Sequence, residues 1–117
     1  MDFSEALQKH AAWKIKFRQA ITEKQTLDSA TISKDNCCDF GKWLYGEAKS
    51  SYSKLPSYSE CVSKHAAFHT EAGKVAKTIN EKKYKEAEAM LELNTPYTLS
   101  SGAVGNAITH LKKEANL

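Results

Sequence analysis

Hydrophobic positions recur every three or four residues along most of the chain, which is the spacing of one face of an α-helix. A first stripe covers roughly residues 3–25 and consists of Phe3, Leu7, His10, Trp13, Phe17 and Ile21. A longer stripe follows Pro56 and consists of Tyr58, Val62, His65, Phe68, His69, Ala72, Val75 and Ile79. The two patterns predict two amphipathic helices, and both place histidine on the face that packs into the core.

Shorter segments complete the predicted secondary structure. Residues 37–46 form a short helix capped by Asp35 or Asn36 and stopped by Gly46, and further helices cover 81–93 and 99–114 with a break at residues 94–96. Residues 26–36 and 47–56 are polar and lack a period, so we expect loops there. Capping boxes are predicted at residues 2–5 and 57–60. No segment alternates as a strand does.

These elements predict an all-α fold, an antiparallel four-helix bundle with an additional short helix that carries a cysteine. The 117 residues are the length of one domain, covering 1–117. The absence of an apolar run long enough for a membrane span predicts no membrane insertion. The acidic start of the chain is unlike a secretory signal peptide. An odd number of cysteines, three, then favours a reducing compartment, the cytoplasm.

The charge pattern argues against nucleic-acid binding. The net charge is +3, from 17 basic and 14 acidic residues. Basic and acidic side chains alternate along the chain, and Arg18 is the only arginine. Nucleic-acid-binding proteins usually cluster their positive charge and use arginine for phosphate and guanine contacts. We therefore expect a solvated helix surface and no nucleic-acid partner.

Three histidines on apolar faces are the main chemical signal. His65 and His69 are four residues apart, which places their Cβ atoms roughly 6 Å from one another on one helix face. His10 lies on the apolar face of the first helix. Burying three imidazoles without a shared partner is costly, and a metal ion removes that cost. The alternative is a hydrogen-bonded core network in a purely structural helical module.

The cysteines supply the remaining candidate ligand. Three imidazole nitrogens and one thiolate form a closed tetrahedral set that favours Zn²⁺. Helical spacing does not decide between Cys37 and Cys38, whose side chains diverge by roughly 100°. Cys61 lies on the same stripe as His69 but about 12 Å away along the helix axis. One zinc ion cannot bind both, so we expect Cys61 to be a small core residue.

Three separated motifs in this order resemble the bacterial chemoreceptor zinc-binding (CZB) domain. They are His10-Ala11-Ala12-Trp13, Cys38-Asp39-Phe40-Gly41-Lys42-Trp43 and His65-Ala66-Ala67-Phe68-His69. The resemblance covers essentially the whole chain. It implies a helical bundle whose Zn²⁺ ligands are His10, Cys38, His65 and His69, and thus selects Cys38 over Cys37.

The other residues of these motifs have physical interpretations. Gly41 has no side chain and would let the short helix approach the bundle closely. Trp13 and Trp43 would form an apolar shell that keeps water from the thiolate. They would serve equally as core residues. His110, near the end of the last helix, is predicted to be a surface residue.

The resemblance also implies a function. CZB domains are associated with zinc sensing and, in some members, with sensing of oxidants through the zinc-bound thiolate, which here is Cys38. They occur with cytoplasmic chemotaxis receptors or diguanylate cyclases, and sometimes alone. The expected module is a homodimer that regulates a receptor or cyclase in cis or in trans. We recognise no receptor signalling hairpin or cyclase domain within the 117 residues.

Two other function classes deserve comparison with a sensor. A zinc hydrolase needs an open coordination position and usually the glutamate of an HExxH helix, whereas Ala66 and Ala67 follow His65 here. A phosphotransfer bundle has a similar size but needs an exposed histidine. The three candidate histidines lie on apolar stripes, which argues against phosphotransfer. Four protein ligands and the missing glutamate argue against a zinc hydrolase. We therefore do not expect an enzyme.

Overall fold

The chain is built from helices alone. A computed structural model describes all 117 residues and contains no strand. The helices are α1 Phe3–Ala11, α2 Trp13–Glu23, α3 Ser29–Ile32, α4 Asp39–Tyr45, α5 Glu47–Tyr52, α6 Pro56–Asn80, α7 Tyr84–Met90 and α8 Pro96–Glu114. The predicted all-α class is confirmed. No helix is both long enough and apolar enough to cross a lipid bilayer.

Helix α6 is the centre of the fold. It packs along α8 and also contacts α2, α3 and α7, while α1 packs on α8. The backbone N–H and the hydroxyl of Ser57 both donate to Oε1 of Glu114, at 2.9 and 2.6 Å. The start of α6 therefore lies beside the end of α8, and these two helices run antiparallel. The full four-helix antiparallel arrangement stays a prediction.

The core contains the predicted hydrophobic stripes. Phe17, Phe68, Val75 and Ile79 are almost completely inaccessible to solvent, and so are Val104, Ile108 and Leu111 of α8. The histidines of the first and long stripes are also buried. Helical periodicity therefore identified the core-facing sides of the long segments correctly, because each amphipathic helix must bury its apolar face.

The first predicted helix is divided into α1 and α2 and ends two residues early. Ala12 belongs to neither helix, although its backbone stays in the right-handed helical region with φ −67° and ψ −17°. Asp2 caps α1 as predicted, because its carboxylate accepts a hydrogen bond from the backbone N–H of Glu5 at 3.0 Å. Lys24 ends α2 in the left-handed conformation.

Both predicted loops were wrong in part, since they contain the short helices α3 and α5. In α3 the carboxylate of Asp28 accepts hydrogen bonds from the backbone N–H and the hydroxyl of Thr31, at 3.2 and 2.8 Å. In α5, Ala48 is buried. Segments of four to six residues are too short to show a helical period, which explains why the pattern missed them.

The predicted helix starts were wrong at four places. Helix α7 covers Tyr84–Met90, where a helix over 81–93 was expected. The side chain of Cys38 caps α4, where Asp35 or Asn36 was expected. Helix α6 starts at Pro56, and Ser57 binds Glu114 instead of forming a capping box. Helix α8 begins at Pro96, capped by Thr95. In the last two cases a proline sits at a first helical turn, where its missing N–H costs nothing.

Candidate metal centre

Four side chains from three parts of the chain meet in one cluster. His10 comes from α1, Cys38 from the start of α4, and His65 and His69 from successive turns of α6. One nitrogen of each imidazole and the cysteine sulfur all lie within 4.8 Å of one another. The structure thus brings together the four residues that the resemblance predicts as ligands.

The spacing within the cluster suits a tetrahedral ion. Nε2 of His65 lies 3.1 Å from Nε2 of His10 and 3.1 Å from Nε2 of His69. Sγ of Cys38 lies 3.3 Å from Nε2 of His65 and 3.6 Å from Nε2 of His69. With Zn–N and Zn–S bonds of roughly 2.0–2.3 Å, the edges of a tetrahedron are about 3.3–3.6 Å. The donor types suit zinc, and these four separations lie close to the tetrahedral edges.

Hydrogen bonds to the other ring nitrogens orient two of the imidazoles. Nδ1 of His10 donates to the carbonyl of Ala6 at 2.7 Å, and Nδ1 of His69 donates to the carbonyl of Ile32 at 2.9 Å. A carbonyl oxygen only accepts hydrogen bonds, so Nδ1 carries the proton and Nε2 presents its lone pair to the cluster. Such partners are typical of metal-binding histidines. Nδ1 of His65 is buried and has no partner.

Without a shared cation, the nitrogen lone pairs that converge in the cluster have too few hydrogen-bond donors. Nε2 of His10 and Nε2 of His69 both point their lone pairs toward Nε2 of His65. His65 has at most one Nε2 proton to share between them, and the one other proton in the cluster is that of the Cys38 thiol, a weak donor whose sulfur lies 3.6 Å from Nε2 of His69. A cation at the centre would satisfy all three imidazoles at once, so the donor chemistry itself favours a metal site over a hydrogen-bonded core network.

Burial keeps the imidazoles neutral. His65 is fully buried and His10 and His69 nearly so. Burial lowers the pKa of all three, and the neighbouring imidazoles help to lower the pKa of His65 to about 3. Burial raises the pKa of the Cys38 thiol, while the backbone N–H of Gly41, which donates to Sγ at 3.3 Å, opposes that rise. The three imidazoles are therefore in the protonation state that binds metal.

Gly41 is required by a close approach to the backbone. A Cβ atom at this position would lie 1.8 Å from the carbonyl oxygen of Asp35 and 3.2 Å from Cε1 of His65. No side chain can be accommodated there without moving α4. The predicted close approach of the short helix therefore has a specific physical basis in the backbone of residue 35.

Phenylalanine rings form the apolar wall around the imidazoles. The ring of Phe40 packs edge-on against His10 and His65, with centroids 5.9 and 5.3 Å apart. Phe68 packs against His10 and His69, at 5.4 Å from each. The sequence pattern indicates this role for neither phenylalanine. The position of Phe40 inside the cysteine motif was the available signal.

The two tryptophans lie farther out than the phenylalanines. Trp13 is half-buried, stacks on Phe17 with centroids 5.4 Å apart, and lines a cavity beside the cluster. Trp43 packs against Phe3 and Phe40. Trp43 thus supports the ring of Phe40, and the predicted shell around the thiolate stays a prediction.

The site opens to solvent on the cysteine side. A cavity of about 540 Å³ has His10 and Cys38 in its wall, and Cys38 is the least buried member of the cluster. At its rim, Nζ of Lys9 lies 3.0 Å from Glu5 and 3.3 Å from Asp39. This ion pair connects α1 with α4 next to the opening. Small solutes therefore have a path to the sulfur.

The other cysteines and the fourth histidine lie outside the cluster. Cys37 is exposed, whereas Cys61 is buried and its pKa is raised to about 12 by burial. His110 is exposed, and its Nδ1 lies 3.6 Å from Glu60. The expected core position of Cys61 and surface position of His110 are confirmed.

Comparison with known proteins assigns the chain to a family. The family model of the chemoreceptor zinc-binding domain matches residues 10–76, which is more than half of the chain and includes all four clustered residues. Searches of curated proteins and of solved structures returned no match. The match and the His₃Cys cluster together mark zinc as the cofactor. The chain belongs to the chemoreceptor zinc-binding domain family.

Proposed function

We propose that His10, Cys38, His65 and His69 bind one Zn²⁺ ion and that the chain is a zinc-responsive sensor module. The observation that carries this proposal is the convergence of three imidazole nitrogens and one sulfur within 4.8 Å of one another. Bound zinc would supply a positive centre that neutralises the thiolate and satisfies the three imidazoles. All four positions are filled by protein, which is the arrangement of a structural or sensing site.

The short helix α4 is the element that we expect to respond. Cys38 begins α4, and the exposed Lys9–Asp39 ion pair is a second link between α4 and α1. Exposed ion pairs contribute little, about 0–1 kcal/mol. Loss of the Cys38 thiolate from the site would therefore free the first turn of α4, while the buried side chains of Phe40 and Leu44 keep the rest of the helix on the core. The surface that this turn presents to a partner would change.

Oxidation of Cys38 is one route to that loss. With hydrogen peroxide as oxidant, the thiolate sulfur attacks one peroxide oxygen and the O–O bond breaks. The departing hydroxide takes up a proton and leaves as water, and the sulfur becomes a sulfenic acid. The opening of the cavity at Cys38 supports access of such a small oxidant.

The signalling context belongs to the same proposal. From the family likeness we propose a cytoplasmic module, a homodimer that regulates a chemotaxis receptor or a cyclic-di-GMP-forming cyclase in cis or in trans. Sedimentation with and without a chelator tests the dimer, and a monomer under both conditions would contradict it.

Metal analysis tests the ligand assignment. Purified wild-type protein should contain about one zinc per chain, and Cys38→Ser, His10→Ala, His65→Ala and His69→Ala should each lose most of it. The matched controls are Cys37→Ser and His110→Ala, which remove the same residue types outside the cluster. Zinc-free wild-type protein, or ligand variants that retain zinc like the controls, would overturn the assignment.

Measuring zinc release after an oxidant is added distinguishes an oxidant sensor from a protein that senses zinc alone. Peroxide should release zinc from wild-type protein and from Cys37→Ser, as followed with a chromophoric chelator. Retention of zinc by protein that a chelator empties readily would contradict oxidant sensing and leave zinc sensing in place.

A further inference from the structure

Helix α3 approaches α6 more closely at Gly73 than any side chain would permit. A Cβ atom on Gly73 would lie 2.5 Å from Cβ and 3.0 Å from Cα of Ser33. A Cβ atom essentially never comes within 3.0 Å of a heavy atom from another part of the chain. The present position of α3 therefore depends on glycine at residue 73.

Hydrogen bonds attach the start of the same segment to the far end of α6. The side-chain oxygen of Asn80 accepts from the backbone N–H of Leu27 at 2.8 Å, and its amide nitrogen donates to the carbonyl of Leu27 at 2.7 Å. Asp28 then caps α3 through Thr31. Residues 27–33 are consequently fixed to α6 at both ends, by Asn80 and by the contact at Gly73.

This attachment places the Ile32 carbonyl against His69. Ile32 directly precedes Ser33, and its oxygen accepts the 2.9 Å hydrogen bond from Nδ1 of His69. The corresponding partner of His10 is Ala6, in the same helix, and His65 has none. His69 is therefore the one imidazole of the cluster whose orientation depends on the docking of a separate element.

We propose that Gly73 is a positioning residue for the metal site. By allowing α3 to lie against α6, it holds the Ile32 carbonyl where it fixes His69 with the proton on Nδ1 and the lone pair on Nε2. Gly73 lies outside the three motifs that carry the family resemblance, and the three atoms nearest to its Cβ position all belong to Ser33. The inference rests on the proposed zinc site and adds a residue that acts on it through the backbone.

Zinc affinity in glycine variants tests the proposal. Loss of a hydrogen-bonded partner of a metal-binding histidine typically weakens metal affinity by about 10–100-fold. Competition with a chelator of known affinity should show a loss in that range for Gly73→Ala. The matched control is Gly102→Ala, since a Cβ atom there meets nothing within 4 Å. The control should bind zinc within about twofold of wild type.

A second substitution should rescue the first. Ser33→Gly in the Gly73→Ala background removes the 2.5 Å conflict and leaves the 3.0 Å approach to Cα, which needs only a small shift of α3. We expect the double variant to recover at least part of the lost affinity. Wild-type affinity in Gly73→Ala, or no recovery in the double variant, would overturn the proposal.

The tautomer of His69 gives a readout that needs no zinc. Nitrogen-15 NMR of metal-free wild-type protein should show the proton of His69 on Nδ1, and Gly73→Ala should shift it wholly or partly to Nε2. Unchanged tautomers in the variant would contradict the proposal. Because this measurement is independent of zinc binding, it still tests Gly73 if the wild-type protein takes up no zinc, a result that would overturn the proposed function alone.

Asn80 provides a test if Gly73→Ala does not fold. Asn80→Ala keeps Gly73 and removes both hydrogen bonds to Leu27, so α3 loses its other attachment. A folded Asn80→Ala protein should also bind zinc more weakly and show a shifted His69 tautomer. Wild-type behaviour in both measurements would overturn the idea that docking of α3 controls His69.

Discussion

At the residue scale, Cys38 combines two roles in one sulfur atom. Its side chain accepts the hydrogen bond from the backbone N–H of Gly41 and so caps α4, and the same sulfur lies 3.3 Å from Nε2 of His65. A helix start offers N–H groups and partial positive charge, both of which favour a thiolate. Burial raises the pKa of Cys38 and so favours the neutral thiol, whereas a bound metal ion would favour the thiolate.

Substitution of Cys38 separates the two roles. Serine is a good N-cap and alanine is not, and neither supplies a thiolate. We expect Cys38→Ser and Cys38→Ala both to lose zinc, while the metal-free Ser variant is more stable than the Ala variant by about 1 kcal/mol. Chemical denaturation in the presence of chelator measures this difference. Equal stabilities would show that the cap at residue 38 contributes nothing to the fold.

The sequence predicted some of these residues and had no means of predicting others. His10, His65 and His69 were found because each lies on an apolar stripe, where a polar side chain needs an explanation. The choice of Cys38 over Cys37 needed the family motif. The role of the Ile32 carbonyl could not be predicted from the sequence. Every residue has a carbonyl group, and only the docking of α3 brings this one to His69.

At the element scale, the contact between α6 and α8 shows how a distant residue replaces a local cap. The pattern at residues 57–60 predicted a capping box, yet both donors of Ser57 bind Glu114 at the end of α8. Local motifs predict local partners only, and tertiary packing brought in another acceptor. The long, strongly periodic helices could be predicted from the sequence. Helices α3 and α5 could not, because each is one or two turns long and depends on packing against the rest of the fold.

The contact between Ser57 and Glu114 should make stability depend on pH. The hydrogen bonds from Ser57 lower the pKa of Glu114 in the folded protein. The unfolded chain therefore takes up the proton first, and this stabilisation is complete above the ordinary glutamate pKa and is lost as pH falls through the lowered value. Glu114→Gln removes the effect.

Thermal unfolding measured between pH 7 and pH 3 tests the pH-dependent contribution of Glu114 to stability. The unfolding midpoint of the wild type should exceed that of Glu114→Gln near neutral pH, and the gap should close at the acidic end. Glu92→Gln, at an exposed carboxylate without a hydrogen-bond partner, should follow the wild type. A gap that is the same at every pH would contradict the assigned role of Glu114.

At the scale of the whole molecule, the cluster joins segments that are distant in sequence. His10 in α1, Cys38 at α4 and the two histidines of α6 meet only when the core has formed. A ligand that binds the folded state alone stabilises it by mass action. Zinc should therefore act as a tertiary cross-link, and its removal should lower the stability of the entire fold.

Zinc should raise the thermal stability of the wild-type protein substantially. A free zinc concentration of 100 times Kd contributes about 2.7 kcal/mol, which corresponds to roughly 10 °C in a domain of this size. The same zinc should leave the midpoint of His65→Ala nearly unchanged, and His110→Ala should respond like the wild type. Calorimetry with zinc and with chelator measures the shift, and an equal shift in His65→Ala would place the bound zinc elsewhere.

The most direct test of the zinc site is X-ray absorption spectroscopy at the zinc edge of the purified holoprotein. We predict four donors around the metal, three nitrogens at about 2.0–2.1 Å and one sulfur at about 2.3 Å. Any zinc that Cys38→Ser still binds when zinc is added in excess should show no sulfur donor, whereas Cys61→Ser should keep the sulfur contribution. A zinc environment without sulfur in the wild type, or one whose sulfur survives Cys38→Ser, would contradict the account.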